Sequence, residues 1–510
     1  MAAAPLLAVR WAPLADLPQQ AAQVRLFLEA VGDPASPYVV QWGAPNSLAL
    51  SVLGLAWAIA SPLAAGRVAM LLLALAWVAA VHLLAWRRGR SAAAAALASV
   101  LVFNQSLYWG FYSFVLGFPV FAGWLLLTLA DESSPGPSPG GSPGGAAEER
   151  RRPLRRAPWF LAGAVLLYLA HALWLAAGLG WLALESALSW RRRRPVEHLV
   201  RWLAVAPVAA RAAWWFASIG ESDFATPAIW GTVPWERLPP AALAEAAFGG
   251  LAGRIEPLLL ALLLAWPALA IVTRRGLSGG DGRLAAVGAM LLAPALLLPD
   301  KYTNTILFDD RWMPVALVLL LLAAPAPVGR PWKARWAPAA LATLALLAQG
   351  TVTTLVWRRV EAEEMNGLDA ALAALPESPR VIGLQLGPPS RFLRAAPFGH
   401  VYAYAQVARG GELNFSFAQF ASSPVVYPAP RRIGWTPNLE LLPDQVRTSD
   451  FRHFDFALIR APDALHGEIA GGDVLEPVTG EGWWRLYRVL PPPSASPSPT
   501  RKSPPAPPPS

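Results

Sequence analysis

Residues 68–106 read VAMLLLALAWVAAVHLLAWRRGRSAAAAALASVLVFNQS: an apolar run, the cluster Arg87, Arg88 and Arg90, and a second apolar run that ends at Asn104. A membrane-crossing helix needs roughly 20 mostly apolar residues. Arginine next to such a helix stays on the cytoplasmic side. The stretch therefore reads as two spans joined on the inside, and it sets sidedness for everything that follows. The same punctuation recurs at Arg150, Arg151, Arg152, Arg155 and Arg156, at Arg191 through Arg194, at Arg274 and Arg275, and at Arg330 with Lys333 and Arg335.

Between these clusters lie ten apolar stretches, at about 67–86, 91–106, 109–130, 158–172, 174–190, 196–216, 256–273, 284–298, 311–326 and 336–356. If every cluster is inside, strict alternation satisfies all five. It also leaves Asn104, His171, Glu221, residues 300–311 and everything after Trp357 outside. Arg358 and Arg359 fall on that outer side against the trend, ahead of a large translocated segment, where the charge rule weighs least. Composition agrees, since 55% apolar residues and a mean hydropathy of +0.39 over 510 residues exceed what a soluble core requires. The net charge of +9 is spent at span ends instead of on one basic face, which excludes nucleic-acid binding. With no cysteine, disulfides, thiolate nucleophiles and cysteine metal sites are excluded. An excess of Ala, Arg and Pro points to a bacterial chain, hence to the inner (cytoplasmic) membrane.

The expected fold is an α-helical polytopic membrane protein of about ten or eleven spans with a small C-terminal α/β extracytoplasmic domain. Its divisions are 1–66, a first outer loop with membrane-surface helices; 67–357, the transmembrane domain, with 131–157 as a flexible cytoplasmic loop; 358–490, the outer domain; and 491–510, a Pro-rich tail. Residues 1–15 are too short to span, yet alternation requires residue 16 to start outside. Either a first helix precedes the given start, or residues 1–14 insert partly. The first is preferred, because no charged and apolar cleavable signal is present. The apolar stretch 46–63, flanked by Pro45 and Pro62, reads as a helix lying on the outer membrane surface. In the outer domain, 360–375 reads as a helix, 380–386, 425–427 and 454–460 as strands, and 473–478 with 483–490 as a hairpin.

The candidate chemistry is on the outer side. Asp16, in Ala15-Asp-Leu-Pro-Gln-Gln, leaves a carboxylate at headgroup level that can act as a base or hold a cation; Asp before Leu-Pro is equally a helix cap. Glu221 and Asp223 are two apart, so both could reach one Mg²⁺ or Mn²⁺, although any polar loop produces such a pair. Asp300, Lys301, Tyr302, Asp309, Asp310 and Arg311 crowd one loop between apolar stretches. Arg311 as a fork and Lys301 as a point charge suit a phosphate, with Asp310 and Tyr302 beside them; the bland alternative is a self-solvating loop in which Asp310 pairs with Arg311. Lys301 is the only lysine outside the cytoplasmic loops and the tail. His171, at a tight outer turn, is either a functional histidine or a pin between helices. Trp109, Phe111, Tyr112 and Phe114 read as an interfacial aromatic belt, or as a sugar-stacking surface.

These residues, with Asp309-Asp-Arg-Trp and Ala170-His-Ala, resemble the GT-C class of polytopic membrane glycosyltransferases, of the protein O-mannosyltransferase and aminoarabinose transferase type. The resemblance implies a catalytic acid in the first outer loop, at Asp16. It also implies a late-loop cation for lipid phosphate, at Arg311 or Lys301. It departs from the class in having one first-loop acid instead of a pair, with Gln20 where related chains carry histidine.

The expected activity is transfer of a sugar from a polyprenyl-phosphate donor to an extracytoplasmic lipid, glycan or protein acceptor, among membrane lipids and without nucleic acid. The catalytic candidates are Asp16 and His171; the substrate-binding candidates are Lys301, Arg311, Asp310 and Tyr302. A divalent cation, Mg²⁺ or Mn²⁺, would fall on Glu221 and Asp223. Two other readings stay open: a lipid-linked glycan transporter or flippase, and a non-catalytic subunit of cell-envelope polysaccharide assembly. No internal repeat of the kind transporters often show is visible.

Overall fold

The computed structural model describes residues 1–129, 143–191, 193–219, 228–274, 279–302, 305–327 and 336–491. The chain opens with helices α1 (Ala4–Ala8) and α2 (Leu17–Gly32), strand β1 (Val39–Val40), and helices α3 (Ser47–Ile59) and α4 (Pro62–Arg87). Pro18 sits in the first turn of α2 and Pro62 opens α4, positions where the missing amide hydrogen costs nothing. At about 1.5 Å per residue, α4 is about 39 Å long, enough for a hydrocarbon layer of roughly 30 Å.

The next apolar stretch is not one helix. It breaks into α5 (Ala92–Ala98), a tight turn over Ser99–Val102, and α6 (Gln105–Tyr108). Asn104 starts the last piece: its side-chain oxygen accepts from Leu107 N at 3.1 Å while its amide donates to Leu101 O at 2.8 Å. The break is tolerated because the surrounding helices bury residues 97–108 and their side chains and caps satisfy the freed backbone.

Helices α7 (Tyr112–Leu129), α8 (Pro143–Ala170), α9 (Ala172–Ser189), α10 (Pro195–Ile219), α11 (Pro240–Ala247), α12 (Ile255–Arg274) and α13 (Gly282–Leu297) follow. A small hairpin of β2 (Lys301–Tyr302) and β3 (Thr305–Ile306) leads to α14 (Met313–Ala323) and α15 (Ala337–Glu364). Each apolar stretch thus coincides with helix. Helix α8 begins at Pro143, ahead of its apolar part. Among the described residues five helices are long and apolar enough to cross a membrane: α4, α7, α9, Ile255–Thr273 of α12, and α15.

The bundle has two chemically distinct ends. At one, Arg88 pairs with Asp281 at 2.8 Å, Arg90 donates to the carbonyls of Gly279, Leu322 and Ala324, and Glu185 is held by Arg193 and Arg201. At the other, Asp16, the turns before α7, α9 and α14, and the 300–309 loop come together under the C-terminal domain.

Helix α15 continues unbroken into the C-terminal domain, so the helix expected at 360–375 is divided. Its first part belongs to α15 and its second is α16 (Leu368–Ala373), after a turn at Gly367. Gly367 has φ of +86°, and a Cβ there would meet Trp484 O at 2.4 Å. The domain continues with β4 (Arg380–Gln385), α17 (Tyr404–Arg409), β5 (Glu412–Leu413), β6 (Val425–Val426), α18 (Thr448–Phe451), β7 (Phe456–Arg460), α19 (Asp463–Ala470), β8 (Leu475–Pro477) and β9 (Trp484–Val489). Five of these strands form one sheet in the order β5-β4-β7-β9-β8, parallel through β5, β4 and β7 and antiparallel across β9 and β8. The apolar run Val381–Leu384 suits β4, an interior strand buried on both faces.

Strand β6 leaves that sheet and pairs with β1, Val39 opposite Val426 and Val40 opposite Val425. Helix α2 adds side-chain clamps. Gln19, fully buried, donates to Phe415 O and accepts from Phe417 N, both at 3.1 Å, and Gln23 accepts from Val425 N at 3.0 Å. The N-terminal segment also binds the domain: Glu361 accepts from the amides of Arg10 and Trp11, and α1 packs along α15. First loop and last domain are therefore one continuous surface over the end of the bundle.

Candidate active site

Asp16 is fixed by backbone before its side chain is considered. Ala15 N donates to Tyr108 O and Asp16 N to Trp109 O, each at 3.1 Å, so the start of α2 is pinned to the turn between α6 and α7. Gly110 makes this approach possible. Its φ is +73°, and a Cβ would lie 2.7 Å from Asp16 N and 2.9 Å from Leu17 N. We expect Gly110→Ala to cost at least the roughly 1–2 kcal/mol of a left-handed residue and to displace Asp16. A lowered melting temperature with lost activity checks this; unchanged values of both would refute it.

Although Asp16 stands at the N-cap position of α2, its carboxylate makes no cap bond. It turns to the C-terminal domain, where His400 Nδ1 lies 2.9 Å from Asp16 Oδ1, with both side chains half-buried. His400 is the partner sequence reasoning missed. It is 384 residues away in the chain, and only its polarity within Pro397-Phe-Gly-His marks it.

Arg311 belongs to the same space. It is 7% exposed, and its guanidinium lies over the Phe111 ring at 3.7 Å and near Phe114 at 5.6 Å. Nε and Nη2 both donate to Ile306 O, at 3.1 and 2.9 Å, which commits two donors to one carbonyl. Among the described residues no carboxylate is within ion-pair distance of it. Asp300 and Asp309, the natural candidates, are taken by Arg237, which bonds Asp300 and lies 2.9 Å from Asp309. Burial pulls the Arg311 pKa down, to about 9, and the Asp16 carboxylate opposes this, so the group stays cationic at neutral pH.

The pairing of Asp310 with Arg311, one expectation for this loop, is not what forms. Asp310 faces Gln105, and burial, with Asp309 adding to it, raises its pKa to about 7. A carboxyl whose folded pKa is raised from the ordinary 3.8 takes up a proton on folding. Its penalty is absent at acid pH, grows as pH climbs, and levels off above about 7. Asp310→Asn should therefore gain apparent melting temperature over wild type progressively between pH 5 and pH 7, with no further gain above; a pH-independent difference would refute the assignment.

His171 caps α9, its Nδ1 accepting from Leu173 N at 3.2 Å, which places the ring proton on Nε2. Burial and then the Arg311 charge push its pKa down to about 3, so it is neutral. Its ring stands edge-on to Phe114 at 5.7 Å, and Nε2 has no partner among the described residues. The aromatic run does not form a belt at the surface. Phe111, Tyr112 and Phe114 are buried, and Phe111 and Phe114, the latter packed on Trp174 and Trp312, form the floor beneath Arg311.

Lys301 and Tyr302 lie on the β2–β3 hairpin whose Ile306 carries the carbonyl bound to Arg311; Tyr302 is largely exposed, with its ring 5.5 Å from Phe308. Glu221 and Asp223 lie outside the described residues. Among the described residues no three His, Asp or Glu side chains converge as a metal set. Asp16 is instead joined by the imidazole of His400, with the Arg311 charge acting on it from nearby. Arg237, also missed, had one signal: an arginine in a loop that alternation places outside.

An acid-bearing first loop, a helical bundle and a C-terminal α/β domain closing over one end make up a GT-C-like fold, that of the solved structure it resembles. No protein-family model matches the chain, and no curated protein matches it in sequence. The crystal structure of ArnT from Cupriavidus metallidurans bound to undecaprenyl phosphate is similar over 94% of this chain and 95% of that one, with a TM-score of 0.50 and 13% sequence identity. The apo form of ArnT covers the same shares, with a TM-score of 0.40 and 14% identity. At 13% identity the likeness to the undecaprenyl phosphate complex is one of fold.

Proposed function

We propose that this protein is a membrane glycosyltransferase that moves a sugar from a polyprenyl-phosphate donor to an acceptor hydroxyl on the extracytoplasmic side of the bacterial inner membrane. The observation that carries the reading is Arg311: a buried cation on an aromatic floor, with no carboxylate at ion-pair distance among the described residues and only the longer-range charge of Asp16 acting on it. The structurally similar ArnT was solved with undecaprenyl phosphate, whose phosphate is an anion of the kind a buried guanidinium holds.

In the proposed step Asp16 takes the acceptor's hydroxyl proton and the acceptor oxygen attacks the anomeric carbon from the face opposite the phosphate. The carbon–oxygen bond to the phosphate breaks, the configuration inverts, and the polyprenyl phosphate leaves against Arg311 with Lys301 nearby. His171, neutral and with a free Nε2–H, can donate a hydrogen bond to the same phosphate. No step is routed through a metal.

The test is release of undecaprenyl phosphate by purified full-length protein from a panel of undecaprenyl-phosphate-linked hexoses and pentoses, with extracted envelope lipids and glycans as acceptors. Release that depends on donor and acceptor together supports the reading. Absence of release across the panel contradicts it.

A further inference from the structure

We propose that His400 is a positioning residue for Asp16, so that the C-terminal domain supplies one of the working parts of the active site. The inference rests on Asp16 being the proton acceptor of the reading above, and it adds a residue from the opposite end of the chain to that chemistry.

An ionised carboxylate can only accept hydrogen bonds, so the 2.9 Å contact is one in which His400 Nδ1–H donates to Asp16. The ring is not free to choose another partner. It is stacked on Phe415 at 5.4 Å and 20°, and Phe417 meets it edge-on at 5.4 Å. Phe415 and Phe417 are in turn the residues whose backbone is gripped by Gln19, three positions along α2 from Asp16. The same short segment therefore aligns both members of the pair. The groups around the ring are Asp16, Tyr402, Phe415 and Phe417, with Glu440 the other charge that acts on it.

Anchoring the domain does not need this contact. The bonds of Gln19 and Gln23 and the β1–β6 pairing already hold the two surfaces together. What the contact adds is direction. Without a cap bond, the Asp16 carboxylate would rotate about its side chain, and His400 holds one oxygen and leaves the other for the acceptor. A reacting group misplaced by about 1 Å can cost on the order of 10²-fold in rate.

The experiment uses full-length protein and two readouts. In the first, ring-¹⁵N-labelled histidine spectra of the six-histidine protein are recorded; the signal absent from His400→Asn is that of His400, and it should move in Asp16→Ala. In the second, donor turnover is measured for His400→Ala and His400→Asn. Asparagine places an amide donor near the position of Nδ1 but cannot titrate. His400→Ala should lower kcat about 10- to 100-fold with KM nearly unchanged, and His400→Asn should recover most of that loss. A stationary His400 signal in Asp16→Ala overturns the proposal, as does wild-type kcat in His400→Ala or an asparagine variant as impaired as alanine. If the signal moves but wild type turns over no donor, the pair stands and glycosyl transfer is the claim that fails.

Discussion

Asp16→Asn is expected to lower sugar transfer by about 10² to 10⁴, the usual contribution of a general base, while leaving the protein folded and extractable at wild-type yield. Asparagine keeps the size of the side chain and an oxygen to accept from His400, so the substitution removes basicity and little else. The backbone bonds to Tyr108 and Trp109 that position residue 16 do not involve the side chain, which is why stability should hold. Because the carboxylate is not a helix cap, the loss cannot be ascribed to an unwound α2. Transfer at wild-type rate in Asp16→Asn would remove Asp16 from the chemistry.

Arg311→Ala should weaken binding of undecaprenyl phosphate about 10- to 100-fold, since hydrogen bonds to charged groups contribute roughly 1.5–3 kcal/mol. Turnover should fall further, by about 10² to 10³, because the phosphate carries more charge as it leaves than in the bound donor. Arg311→Lys separates charge from shape. An ammonium restores the positive charge but cannot reproduce the planar stack on Phe111 together with the paired donation to Ile306 O. Lysine should therefore recover binding more than turnover. Isothermal titration with undecaprenyl phosphate and donor turnover measure the two effects, and equal binding by wild type and alanine variant would show that the cation serves packing alone.

The helical bundle was readable because its signal is long: about 20 apolar residues bounded by arginine leave few alternatives, and each such stretch is helical in the structure. The break at Asn104 was not readable, because whether an apolar run bends depends on the neighbours that bury it. In the outer domain, β4, β7 and the β8–β9 hairpin stood out through apolar runs and a glycine-containing turn. The pairing of β1 with β6 did not, since strands of two residues carry no period. Asp16 and Arg311 were legible as charges at the boundary of apolar segments, where an ionisable group is costly and so conspicuous. Their partners were not. His400 reaches Asp16 only because two distant surfaces close on each other, and Arg237 takes Asp300 and Asp309 through a loop that local sequence gives no reason to bring near them. The alternative in which Asp310 pairs with Arg311 is not realised for the same reason: Asp310 bonds Gln105, while Arg311 turns to Ile306 O and the Phe111 ring.

The most direct measurement is photo-crosslinking of the full-length protein with an undecaprenyl phosphate analogue carrying a diazirine beside the phosphate, with the labelled peptides mapped by mass spectrometry. Label on Phe111–Phe114 and on Ile306–Trp312, lost in Arg311→Ala, is the predicted result. Label confined to the opposite end of the bundle, around Arg88 and Asp281, or label at the predicted peptides that persists in Arg311→Ala, would contradict it.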